Sequence, residues 1–349
     1  MKALIGMALA LTLSAHAQTT TSSMETTGLT QVWDKTFPQS EKVAHEKVTF
    51  RNRFGITLVA DKYVPKQATG KLPAIAVGGP FGAVKEQASG RYAQQLAEAG
   101  FVTIAFDPSF TGESEGEPRY SSSMDINTED FCAAVDYLSC CEQVDADRIG
   151  ILGICGWGGL SLNAAALDPR IKATVAVTLY NLTRVTQKGY FDTMDEEARF
   201  ALKQKLAAQR TEEFRTGEIK PQGGLPATTA DNAPDYLKQY VDYYKSEKRG
   251  YHPRSLNSNM GWNITTTLMR LNQNLWIAAD EIRTPVLIVH GEKAHSRYFG
   301  EESRTGNMPT TSDCSSCRER HIATSTMVAR ATSSLGTTSS LSINLISNK

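Results

Sequence analysis

Five short apolar runs recur along the chain: Ala74 to Val77, Val102 to Phe106, Ile149 to Ile154, Ala173 to Val177 and Val286 to Val289. Each is nearly continuous rather than alternating. A strand with one wet face alternates apolar and polar residues, so unbroken runs predict strands buried on both faces of a parallel sheet. Helical stretches lie between them. Ser89 to Ala99 places Tyr92, Leu96 and Ala99 on one stripe and stops at Gly100, a residue that tolerates the left-handed turn ending a helix. Asn127 to Cys140 opens with Asn127 to Asp130 as cap and first turn and turns Phe131, Ala134, Val135 and Leu138 inward. Gly158 to Leu167 is small and apolar and ends at Asp168-Pro169. This order predicts a doubly wound, mostly parallel α/β sheet. Ahead of it, Lys47 to Arg51 and Ile56 to Val64, with Arg53 to Gly55 as the turn, predict a leading antiparallel hairpin.

The pattern breaks between Thr178 and Glu281, where about a hundred residues stand in place of a short crossover. Glu196 to Arg215 reads as a charged amphipathic helix, Tyr236 to Tyr244 is rich in tyrosine, and Tyr251 to Asn259 is a polar loop. An insertion of this size at residues 179–281, over the carboxyl edge of the sheet, is expected to cap a site; the alternative is a packing or dimerisation arm.

The two ends differ from the middle. Lys2, the apolar run Ala3 to Leu13 and the small-x-small Ala15-His16-Ala17 follow the order of a secretory signal peptide. Cleavage near Ala17 and export to the periplasm or medium are therefore expected, with residues 18–44 beginning as a Ser/Thr-rich tether. No later apolar run reaches the roughly 18 residues of a membrane span. With 37 basic and 37 acidic side chains the formal net charge is zero, which argues against nucleic acid or an anionic membrane as the main partner. Export permits disulfides. The six cysteines do not form a scaffold: Cys140 and Cys141 are adjacent, Cys132 and Cys140 lie too far apart along one helix, and Cys314 and Cys317 form a lone CxxC without a second pair for zinc.

Arg148 to Gly159 is the segment that carries chemistry. A buried strand ends in small residues around Cys155 and runs directly into a helix, the shape of a nucleophile elbow. The residues two before and two after the nucleophile should be small; Gly153 satisfies this and Trp157 does not. A thiol here gains from the helix N-terminus, which lowers its pKa, and the Gly156 amide would face the oxyanion of an attacked carbonyl.

This layout resembles the α/β-hydrolase superfamily, closest to its dienelactone hydrolase-like and acetyl xylan esterase-like branches, over residues 45–302. Gly78 to Gly82 resembles the family's oxyanion loop, Phe106 to Ser114 its loop after the fourth strand, and Val289 to Lys293 its acid-bearing turn. The resemblance implies Cys155 as nucleophile, although a match shifted by two residues puts Trp157 there and leaves none. It implies an oxyanion hole from the backbone of Gly156 and Phe81, since Pro80 has no N–H. The usual Asp position is occupied by Ala294, so Glu292 is the candidate acid; His290 reads as structural, and His295 stands on the wrong loop for the family's base. The expected activity is hydrolysis of a small ester, lactone or related acyl substrate, with no cofactor and no metal. Tyr251 and His252 are candidates for shaping specificity or for ordinary cap packing. The competing reading is a non-catalytic binding or structural protein on the same scaffold.

The family's His lies in a loop after the last strand, and His321 is the one histidine there. Yet 19 of the 47 residues from Ser303 to Lys349 are Ser or Thr, and no apolar strand or amphipathic helix can be drawn. Reading each codon two nucleotides late, with third bases chosen freely, turns Pro309 to Val328 into Asp-Asn-Lys-Arg-Leu-Leu-Ile-Val-Pro-Gly-Ala-Pro-His-Cys-Asp-Leu-Tyr-Asp-Gly. That text is a turn, a short strand and a His-bearing loop. Residues 303–349 therefore read as either a disordered tail or a frameshifted one; on the shifted-frame reading the chain has lost its last strand, last helix and general base, with poor or absent activity expected of it as written.

Overall fold

The computed structural model describes residues 28–305 and, as backbone, the strand segments 327–331 and 343–347. The signal-like segment, His321, Cys314 and Cys317 lie outside the described residues. Strands β1 (Val43–Arg51) and β2 (Thr57–Pro65) form the leading antiparallel hairpin. The apolar runs become β3 (Leu72–Gly78), β4 (Val102–Phe106), β5 (Val144–Ile154), β6 (Ile171–Val177) and β7 (Val286–Val289). The seven strands lie in the order β1-β2-β4-β3-β5-β6-β7, antiparallel for the first three and parallel from β4 onward.

Helix α1 (Ala88–Glu98) follows β3, α2 (Met124–Ser139) precedes β5, and α3 (Gly156–Leu167) leaves it. One core layer, with Phe106, Phe131, Trp157 and Leu160, lies between the sheet and α2 and α3; a second, with Ala93, Leu96, Leu152 and Val175, lies under α1. Covering both faces explains why the strand sequences do not alternate.

Two expectations are corrected. Helix α2 begins at Met124, three residues before the expected cap. Asn127 is instead buried within it, its side-chain amide donating to Asp130. The tail also contains strands that its Ser/Thr-rich pattern does not announce: β8 (Met327–Ala331) and β9 (Ile343–Ser347) pair antiparallel as a separate sheet. They do not extend the main sheet, in which β7 pairs only with β6 among the described residues.

Between β6 and β7 come α4 (Leu182–Lys188), α5 (Glu196–Thr216), α6 (Asp235–Tyr244) and α7 (Thr267–Leu271), and α8 (Arg297–Thr305) follows β7. Among the described residues no helix is long and apolar enough to cross a membrane. Cys132, Cys140, Cys141 and Cys155 are all free.

Candidate active site

Strand β5 delivers the chain to Cys155, which adopts φ 58°, ψ −122° immediately before α3. A non-glycine residue in that region costs on the order of 1–3 kcal/mol and persists only where its surroundings hold it. Here its N–H donates to the Val177 carbonyl at 2.9 Å, and its own carbonyl accepts from Gly158 at 2.9 Å and Tyr180 at 3.0 Å. The tightness of the bend dictates glycine on both sides. A Cβ at Gly153 would lie 2.1 Å from the Trp157 carbonyl oxygen, and one at Gly156 would lie 2.8 Å from Cβ of Phe81. Trp157, the other residue that the sequence offers for the apex, is 2% exposed and packs edge-on against Phe106 and Phe131 at 5.2 and 5.1 Å. Its bulk fills the core rather than the bend, so the rule of a small residue there is broken without harm.

The backbone amides of Gly156 and Phe81 both face the Cys155 sulfur and favour its charged form. Two amides converging on one atom at a helix start form an oxyanion-hole arrangement. The thiol is nonetheless not lowered as the helix N-terminus alone predicts. Enclosure of the sulfur pushes it up to about 11, with the two amides pulling only partly back.

The Phe81 loop is clamped from the insertion. Asn257 Nδ2 donates to the Phe81 carbonyl at 2.9 Å, while the Asn257 backbone and Ser255 Oγ donate to Gly82. Behind the loop, the fully buried Lys85 forms an ion pair with Glu86 at 2.7 Å and donates hydrogen bonds to Asp107 at 2.7 Å and to Glu113 at 2.6 Å. Those three carboxylates are close enough together to surround a cation, and the Lys85 ammonium already supplies that charge. Burial raises the carboxyls of Glu86 and Glu113, but Lys85 with Arg254 for the first and Lys47 for the second brings each down to about 2.

Tyr180, Tyr190, Tyr240 and Tyr244 lie within electrostatic reach of the Cys155 sulfur. The Tyr180 hydroxyl bonds that of Tyr240 at 2.9 Å and also bonds His295 Nε2. The His295 ring stacks on Tyr236 at 4.1 Å, and burial lowers its pKa to about 4. Sequence reasoning missed this cluster; the tyrosine density of residues 236–244 was its one visible signal.

The remaining candidates sit as follows. Glu292 is exposed on the turn after β7, and its side chain has no hydrogen-bond or ionic partner among the described residues. His290 is 3% exposed, with both ring nitrogens unpaired, and burial lowers it to about 4. His252 lies 3.6 Å from Asp34, in the ionic cluster behind the oxyanion loop, and Tyr251 bonds Asn259. Among the described residues no imidazole hydrogen-bonds the Cys155 thiol. The structure thus brings Cys155, Gly156 and Phe81 together and leaves Glu292 apart from them.

A family profile described as X-Pro dipeptidyl-peptidase (S15 family) matches residues 55–294. Uncharacterized protein PA2218 of Pseudomonas aeruginosa is 52% identical over 84% of this chain and 81% of its own. Its crystal structure superposes with a TM-score of 0.78, covering 81% of this chain and 88% of that one. The thiohydrolase ApmlB of Arthrinium phaeospermum is 28% identical over 73% of this chain and 82% of its own. The α/β hydrolase GrgF of Penicillium sp. sh18, at 20% identity and TM-score 0.61, covers 76% of this chain and 88% of that one and shares the fold.

Proposed function

The chain belongs to the X-Pro dipeptidyl-peptidase (S15) family, within the α/β-hydrolase superfamily, and on that premise we propose that it is an acyl hydrolase whose nucleophile is Cys155. Membership makes it a hydrolase in the general sense. The single observation that carries the finer reading is Cys155 at a positive-φ elbow at the start of α3, with the Gly156 and Phe81 amides beside its sulfur. In the first step a base takes the Cys155 thiol proton, later passed to the leaving group. The sulfur forms a bond to the substrate carbonyl carbon as the C=O π pair moves to oxygen, and the two amides hold the resulting oxyanion. Collapse expels the alcohol or thiol, which takes up a proton, and leaves a thioester on Cys155. Water then attacks that thioester, releasing the carboxylic acid and restoring the thiol.

Esters, lactones and thioesters are the substrate class; a thiohydrolase among the relatives supports including thioesters. A thiol held near 11 is protonated at neutral pH, so the reaction needs a base. We place that base in the His-bearing loop obtained from the alternative reading frame beyond Ser303, and we expect the chain as written to turn over slowly. Glu292 is kept as the proposed acid, to be drawn in with that loop. Residues 179–281 act as the cap, and export after Ala17 puts the enzyme outside the cytoplasm.

The test is hydrolysis by the chain with that frame restored, assayed on acetyl, butyryl and benzoyl thioesters and p-nitrophenyl esters beside Xaa-Pro p-nitroanilides. Cleavage of acyl substrates that vanishes in Cys155→Ala is expected. Cleavage of the Xaa-Pro amides alone, or activity surviving Cys155→Ala, contradicts the proposal.

A further inference from the structure

Arg270, on α7, is 8% exposed, yet no carboxylate pairs with it among the described residues. Its guanidinium is held by three neutral hydroxyls: Nε donates to Thr186 at 3.3 Å, one terminal nitrogen to Ser122 at 3.0 Å, and the other to Thr267 at 3.3 Å. Those contacts use three of its five N–H bonds and leave two donors, one on each terminal nitrogen, for another acceptor. Two other cations near this loop, one buried and one half-buried, are matched. Lys85 has Glu86, Asp107 and Glu113, and Arg254 has Asp34 and Glu86. Burial lowers the Arg270 pKa only to about 10, so the charge persists at neutral pH. A buried charge without a counterion is costly and is retained where something else supplies the opposite charge.

Its position says what that is. The guanidinium lies 5.4 Å from the centre of the Phe81 ring, whose other neighbour is Trp262, stacked at 4.1 Å. Phe81 is the residue whose backbone amide faces the Cys155 sulfur and whose Cβ lies against Gly156. Thr186, which holds Nε, bonds back to Leu182, the side chain packed over Gly156. The unmatched charge is therefore one side chain away from the oxyanion hole.

We propose that Arg270 is the binding site for a carboxylate carried by the substrate, so that this hydrolase prefers acyl compounds bearing an acid group close to the scissile carbonyl. The inference rests on the acyl-hydrolase reading and names its substrate class. The carboxylate can belong to the acyl part or to the leaving group, and the test separates them.

Equilibrium binding is measured by calorimetry on the full chain carrying Cys155→Ala, which cannot turn over. Monomethyl glutarate, with its acid on the acyl side, is compared with dimethyl glutarate. Acetoxyacetate, with its acid on the leaving side, is compared with its methyl ester. At least one acid is expected to bind about tenfold or more tightly than its neutral partner. Arg270→Gln should erase that preference while leaving the neutral compound's affinity unchanged, and Arg270→Lys should retain part of it. Circular dichroism and thermal melting check that each variant is folded, and Thr267→Val, which removes only one of the hydroxyls holding the guanidinium, gives a second, milder perturbation. Equal affinity for acid and neutral forms in both pairs, or a preference that survives Arg270→Gln, overturns the proposal. Thioester formation on Cys155 is scored separately in the chain without the Cys155 substitution. A carboxylate preference without such acylation contradicts the acyl-hydrolase reading alone, whereas acylation without the preference contradicts only the role of Arg270.

Discussion

The two flanks of Cys155 differ in how they are tied down. On the β3 and α3 flank, each part is fixed: Phe81 and Gly82 by Asn257 and Ser255 of the insertion, and Cys155 by backbone bonds with Val177, Gly158 and Tyr180. On the β7 flank, Glu292 is exposed, His290 is sealed in the core, and His295 is engaged with tyrosines. The first flank needs the bend, the loop beside it and the clamp that residues 255–257 supply from the insertion. Different stretches of sequence encode the two flanks, and among the described residues no imidazole hydrogen-bonds the Cys155 thiol from the second.

The largest effect should come from the second flank. Restoring the alternative frame from Ser303 should raise thioester turnover about 10³-fold, the scale of a positioned general base, in steady-state assays. An unchanged rate means that the flank lacks its base for another reason.

Next, Trp157→Ala should destabilise the first flank by about 3–5 kcal/mol in denaturant titration, because it empties a core site bounded by Phe106 and Phe131. A small loss means that the indole is not what anchors α3.

Gly156→Ala tests the same flank more gently. Its methyl group would meet Phe81 Cβ at 2.8 Å and push away one oxyanion donor. Acylation of Cys155 should slow about 10²-fold with the fold retained, as read by burst kinetics beside circular dichroism.

The smallest effect is in pH. The Cys155 thiol is raised from 9.0 to about 11, so its protonated form is favoured by folding. That contribution is whole below pH 9 and declines as pH climbs from 9 toward 11. Thermal melts of Cys155→Ala should show a shallower decline over that window. Iodoacetamide labelling of Cys155 in the chain as written should keep rising to about pH 11, and a plateau near neutrality contradicts the burial argument.

The sheet and elbow were legible because both follow local rules. A strand covered on both faces cannot alternate, and a bend as tight as that at Cys155 requires Gly153 and Gly156. The start of α2 was misjudged because Asn127, a good cap by type, was drawn into the interior by Asp130. The thiol's raised pKa was not legible, since enclosure is contributed by residues distant in sequence. The same holds for Tyr180 with His295 and for Arg270 with Ser122, pairs separated by 115 and 148 positions. No periodicity reports contacts of that span.

The most direct measurement is intact-protein mass spectrometry of the frame-restored chain mixed rapidly with an excess of p-nitrophenyl butyrate, followed by peptide mapping. The account predicts one butyryl adduct, carried by the peptide containing Cys155 and absent in Cys155→Ala. Turnover without any adduct there, or an adduct on another residue, contradicts it.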